Sequence, residues 1–140
     1  MIQLPLRNSL HLAHTFMQNL VPQGASVVDA TCGNGKDTAF LAQLVGETGQ
    51  VWAFDIQKQA LHNTYRFLCE QGLEQRVKLI QACHSRIHCF VPGPIFACMF
   101  NLGYLPGGDH DVTTEASTTL LALSALKDML SKGGIMSIVS

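Results

Sequence analysis

The chain has 140 residues, 47% hydrophobic and 14% charged, which supplies one core, excludes a disordered tail and predicts a single domain over 1–140. A formal net charge of -1 excludes nucleic-acid binding by bulk charge, so any RNA contact rests on a local basic patch or on parts outside this chain. No window nears the roughly 18 apolar residues of a membrane span, and Met1 to Asn8 lacks the parts of a signal peptide, so a cytoplasmic protein is expected.

A first helix is predicted over about Ser9 to Leu20, with Leu10, Ala13, His14, Met17 and Leu20 on one face. On such a face His14 reads as a core histidine before it reads as a ligand. Pro22 and Gly24 break the helix, and Ser26 to Ala30 reads as strand one. A glycine turn and a helix over about Asp37 to Val45 follow, then strand two, Gln50 to Asp55. The helix over about Lys58 to Gln71 should turn Leu61, Tyr65 and Leu68 inward and stop at Gly72. Strand three is Val77 to Gln81, and strand four, Ile95 to Phe100, follows Pro92-Gly93-Pro94. A helix over Glu115 to Ser131, with Leu120, Leu123, Leu126 and Leu130 on its face, leads through Gly133-Gly134 into strand five, Ile135 to Val139. Strands alternating with helices predict an α/β fold, a parallel sheet of about five strands with helices on both faces.

The segment from Asp29 through Thr31, Cys32, Gly33, Asn34, Gly35, Asp37 and Thr38 joins strand one to its helix. Glycine there lets the backbone turn sharply and approach a ligand. A dinucleotide would set its pyrophosphate on this helix N-terminus, where the dipole favours anions. A carboxylate at Asp29 works against that, and Thr38 stands where a G-x-G-x-x-G motif has its third glycine. S-adenosylmethionine has no phosphate and carries a sulfonium and an ammonium, so Asp29 favours it. Asp55, 20 residues after Gly35 at the end of strand two, is placed to accept hydrogen bonds from a ribose.

Asn101 and Tyr104 follow strand four, with Asp109 further on. Ligands of open α/β sheets bind beyond the carboxyl ends of the strands at the topological switch point, so Asn101 is expected to face the cofactor's methyl group. Its carbonyl can accept from an amine N–H, and Tyr104 can stack on a base or wall the pocket. An amine must be neutral to attack, and Asp109 and His84 are the candidate proton acceptors. Cys83, His84, His88 and Cys89 follow no zinc-site spacing, although His84 and His88 should share a helix face, and no metal is expected. Five cysteines, an odd number with no C-x-x-C, predict reduced thiols.

Three stretches, Asp29 to Gly35 with Asp37 and Thr38, Phe54 to Gln57, and Asn101 to Asp109, together resemble the rRNA methylase family, whose members include a bacterial tRNA methyltransferase. The resemblance covers essentially the whole chain. It implies a Rossmann-like class I S-adenosylmethionine-dependent methyltransferase that methylates the aminomethyl nitrogen of 5-aminomethyl-2-thiouridine at the tRNA wobble position. It also implies that Asp29, Cys32, Gly33, Asn34, Asp55 and Gln57 surround the cofactor and Asn101, Tyr104 and Asp109 the acceptor. His14 and His84 fall at family histidines.

Thr31 stands where the general class has glycine. Asn-Leu-Gly-Tyr replaces the Asn-Pro-Pro-Tyr of many amino-methyltransferases, which argues against a ring amine as target. Family members continue past Ser140 through a final antiparallel strand pair, so a C-terminally truncated domain with strand five as an exposed edge is expected. The expected partner is RNA, tRNA first, with no membrane partner and a homodimer left open. The rivals are methylation of rRNA or of a small-molecule amine, an NAD-dependent oxidoreductase, and a module that binds cofactor without catalysis.

Overall fold

The computed structural model describes residues 6–101 and 112–139, with side chains described over 10–101 and 119–139. Tyr104 and Asp109 lie outside the described residues. The helices are α1 (Leu6–Leu20), α2 (Lys36–Val45), α3 (Lys58–Gln71), the single turn α4 (Ile87–Phe90) and α5 (Val112–Lys127). The strands are β1 (Ser26–Asp29), β2 (Gln50–Asp55), β3 (Val77–Gln81), β4 (Ile95–Asn101) and β5 (Leu130–Val139).

All five strands pair in parallel in the order β3-β2-β1-β4-β5. The chain winds outward from β1 through β2 to β3, then returns to the other side of β1 with β4. The switch point therefore lies between β1 and β4, with Asp29 and Asn101 as their last residues.

Period-2 alternation sends neighbouring residues to opposite faces of the sheet. Val27, Val51, Ala97 and Met99 meet Ala13 and Met17 of α1, Leu41 and Val45 of α2, and Leu68 of α3. Val28, Phe54, Cys98 and Phe100 meet Ile87 of α4 and Ala122 and Leu126 of α5. Helices thus cover both faces, as the alternating pattern predicts.

Several side chains depart from expectation. On α3 the buried stripe is Ala60, Thr64 and Leu68, and Tyr65, 100° further round the helix, is 54% exposed. On α5, which begins at Val112 and ends at Lys127, the buried residues among the described side chains 119–127 are Thr119, Ala122 and Leu126, while Leu120 is 66% exposed. Leucine and alanine fall on every side of that helix, so periodicity does not select the inner face. Leu20 is 49% exposed, and Leu130 belongs to β5.

β5 begins five residues earlier than predicted because it bulges. Ile95 pairs with Leu130 and Ala97 with Ile135, so two steps along β4 match five along β5. Gly133 takes φ 81 within this bulge, and a Cβ on Gly134 would meet the Phe96 carbonyl oxygen at 2.7 Å. The glycine pair serves the bulge rather than a turn ahead of the strand.

Candidate active site at the switch point

The turn between β1 and α2 is held from three sides. The Cys32 N–H donates to the Phe54 carbonyl at 2.8 Å, and the Gly33 N–H donates to Asp55 Oδ2 at 3.1 Å, which pins the turn to the end of β2. Thr64 Oγ1 of α3 donates to the Gly33 carbonyl at 3.2 Å. Asn34 Oδ1 accepts from the Lys36 N–H at 3.1 Å and so satisfies one open donor of α2. Gly35 has φ 90, and a Cβ there would lie 2.9 Å from Thr64 Cα, so α3 packs where only glycine fits.

Beneath the turn lies Asp29, 1% exposed. Its Oδ2 accepts from Thr38 Oγ1 at 2.6 Å and its Oδ1 from the Thr31 N–H at 3.2 Å. Burial pushes this carboxyl from 3.8 up to about 8, against those hydrogen bonds and with added repulsion from Asp37 and Asp55. Asp55, 7% exposed, accepts from the Gln57 N–H through Oδ1 at 2.9 Å, so each of its oxygens also holds a backbone donor. The Gln57 side chain is exposed at the start of α3. Burial lifts the Cys32 thiol to about 12, which keeps it protonated and fits packing rather than nucleophilic chemistry.

A small cavity of about 40 Å³ opens here, lined by Ala30, Thr31, Asp55, Ile56, Ala82 and His84. Thr31 helps to line it, and Thr31 Oγ1 is buried without a hydrogen-bond partner. His84 is 8% exposed, its Nε2 is 3.3 Å from Thr119 Oγ1, and its ring meets Phe100 edge-on at 5.7 Å. His88 is exposed beside Cys89, so the two histidines do not share a face. A larger groove of about 480 Å³ between α1 and β5 is lined without any ionisable side chain, so the chemistry points to the smaller cavity.

Asp37, in the first turn of α2, joins two residues far apart in the chain. Its Oδ1 lies 2.9 Å from His14 Nε2, and its Oδ2 accepts from Asn101 Nδ2 at 3.1 Å. His14 stacks on Phe40 with ring centroids 3.9 Å apart and planes 9° from parallel. His14 is therefore a hydrogen-bond partner of the site and not only a packed core histidine. Of the residues singled out in the sequence, Asp29, Thr31, Cys32, Gly33, Asn34, Gly35, Asp37, Thr38, Asp55, Gln57, His84 and Asn101 lie at the carboxyl ends of β1, β2 and β4 or in the segments that follow β1, β2 and β3. Sequence reasoning missed Thr64 and Thr119, which carry no motif and matter only through the packing of α3 and α5.

The chain is similar to known methyltransferases. The profile of the family described as "Putative rRNA methylase" matches residues 51–140, and that of the ubiE/COQ5 methyltransferase family matches residues 9–89. A chloroplastic tRNA (mnm(5)s(2)U34)-methyltransferase of Arabidopsis thaliana is 38% identical over 95% of this chain and 52% of its own length. The chain therefore spans about half of that relative. An rRNA methylase-family protein of Clostridium thermocellum superposes with TM-score 0.85 at 47% identity, over 96% of this chain and 72% of that one. A methyltransferase-family protein of Streptococcus mutans, solved with S-adenosylhomocysteine, superposes with TM-score 0.81 at 38% identity, over 99% of this chain and 73% of that one.

Proposed function

The chain belongs to the rRNA methylase family, and from that premise we propose that it moves a methyl group from S-adenosylmethionine to an amine nitrogen of an RNA nucleotide. Its fold is the Rossmann-like fold of class I methyltransferases. The acceptor in this reading is the aminomethyl group of 5-aminomethyl-2-thiouridine at the tRNA wobble position, supported by the likeness to the plant relative. The residues 1–140 act as one cofactor-binding domain, in the cytoplasm. No helix among the described residues is long and apolar enough to cross a membrane.

One observation carries the reading. Three carboxyl groups, Asp29, Asp37 and Asp55, are 1%, 6% and 7% exposed around a single turn, and His14 Nε2 lies 2.9 Å from Asp37 Oδ1. Crowded, buried carboxyls resist ionising together unless a cation joins them. A pyrophosphate would add to the repulsion, whereas a sulfonium and an ammonium relieve it. The unpartnered Thr31 hydroxyl fits the same ligand, a nucleoside rich in hydrogen-bonding groups.

When bound, S-adenosylmethionine supplies an electrophilic methyl carbon on a positively charged sulfur. Asp55 would hold the ribose, since each of its oxygens keeps a second lone pair beyond its backbone donor. The turn from Thr31 to Gly35 would hold the rest of the cofactor, with Cys32 as packing, Asp37 and Thr38 behind it, and Gln57 and His84 at the rim. Asn101 would align the acceptor nitrogen through its side-chain carbonyl, a contribution of orientation. The nitrogen attacks as the neutral amine, and the proton it sheds goes to an acceptor outside the amide, since asparagine does not ionise. Tyr104 and Asp109 complete the acceptor side in this proposal.

Calorimetry and turnover test it together. S-adenosylhomocysteine should bind and NAD should not; binding of NAD alone would refute the reading. Asn101→Ala should lower turnover about 100-fold while leaving the S-adenosylhomocysteine Kd within about twofold. Equal loss of both contradicts the role given to Asn101.

A further inference from the structure

The contact between His14 and Asp37 has a simpler use, as a tether of α1 to α2. That use engages one oxygen of Asp37. The other oxygen accepts from Asn101 Nδ2 across 64 residues of sequence, and both Asp37 and Asn101 are buried, at 6% and 5% exposure. A carboxylate can only accept hydrogen bonds, so it fixes which end of the asparagine amide faces it. The NH₂ end points to Asp37, and the carbonyl end is turned to the opposite side of the amide. Flipping the amide would set two oxygens against each other in a buried site, an unfavourable contact.

We propose that His14 and Asp37 are positioning residues that set the amide of Asn101 and so aim its carbonyl at the acceptor nitrogen. The proposal deepens the methyltransferase reading above and rests on it. His14 acts through Asp37. Its donor holds the Oδ1 side of the carboxylate, and its ring is held in turn by stacking on Phe40. The three groups come from α1, the first turn of α2 and the end of β4, so the line joins α1 to the carboxyl end of the sheet at the switch point.

Two substitutions separate positioning from tethering. His14→Phe keeps a ring to stack on Phe40 and removes the donor to Asp37. His14→Gln removes the ring and keeps an N–H donor near the same place. Three readouts apply to both variants: the side-chain amide resonances of Asn101 by NMR, assigned by their loss in Asn101→Asp; the Kd for S-adenosylhomocysteine; and kcat and KM for methylation of tRNA.

The expected result for His14→Phe is shifted Asn101 amide resonances and a kcat lower by about tenfold, equal to about 1.4 kcal/mol. The KM for tRNA and the cofactor Kd should stay within about threefold. His14→Gln should return the resonances and kcat toward wild type. Unmoved Asn101 resonances in His14→Phe overturn the proposal. So does a parallel fall of melting temperature, Kd and kcat that His14→Gln does not repair, because that is the signature of a tether. If the wild-type protein methylates no RNA, the methyltransferase reading fails on its own, and the NMR comparison still decides whether His14 orients Asn101.

Discussion

Asp29 sits at the end of β1 with almost no solvent exposure, and its neighbours on the acidic turn are themselves carboxyls. Burial, the largest cause, and repulsion from Asp37 and Asp55 outweigh the Thr38 and Thr31 hydrogen bonds, so its carboxyl titrates near 8 in the folded chain against 3.8 ordinarily. The sign follows from proton counts. Between those two values the folded state binds more protons than the unfolded state, so stability falls as pH rises through the window. The contribution is whole below 3.8 and gone above about 8. Asp29→Asn keeps an acceptor for Thr38 and removes the titration. Melting temperature followed from pH 5 to pH 9 should therefore decline less steeply in the variant than in the wild type, and parallel slopes would count against the ionisation of Asp29. A cationic ligand favours the carboxylate form of the same group, so ligand binding near pH 7 should release a proton, measurable as a buffer-dependent heat.

At the scale of elements, the glycine turn works because α3 lies against it. A Cβ on Gly35 would approach Thr64 Cα at 2.9 Å, and φ there is 90, so Gly35→Ala meets both a steric and a conformational obstacle. The expected loss is about 1–3 kcal/mol in a urea titration. Adding Thr64→Ala should not restore it, because the nearest atom belongs to the backbone. Recovery in the double variant would show that the side-chain methyl, at 3.2 Å, was the true obstacle. Elements of this kind were legible in the sequence where periodicity and punctuation agree. β2, α3 and β3 begin and end as predicted, because Gly49, Gly72 and the charged segment Glu74–Arg76 mark their limits. The acidic strand ends and the glycines of the turn were legible for the same local reason. What the sequence did not show are facing relations: that the buried stripe of α3 runs through Thr64 rather than Tyr65, that β5 bulges, and that His14 reaches Asp37 from 23 residues away. Those depend on which helix lies over which strand, and no local pattern encodes that.

For the whole molecule, the site and the apolar groove between α1 and β5 lie on separate parts of one scaffold, and α1 borders both. His14 faces Asp37, while Leu12, Phe16 and Leu20, at i, i+4 and i+8, form a stripe exposed at 43%, 54% and 49%. Across the groove Ile138 is 50% exposed on β5, the outer strand of the described sheet. Large exposed apolar side chains grouped around one groove favour association with other chains. The predicted consequence is concentration-dependent self-association that the acidic site does not control. Phe16→Ser combined with Ile138→Lys places a hydroxyl and a charge on the two walls, and sedimentation at high protein concentration should shift toward the monomer. The S-adenosylhomocysteine Kd should not change, because both side chains line the groove and not the turn. A fall in cofactor affinity in this double variant would mean that the groove and the switch point are coupled through α1, and the separation drawn here between a cofactor end and an associating edge would not stand.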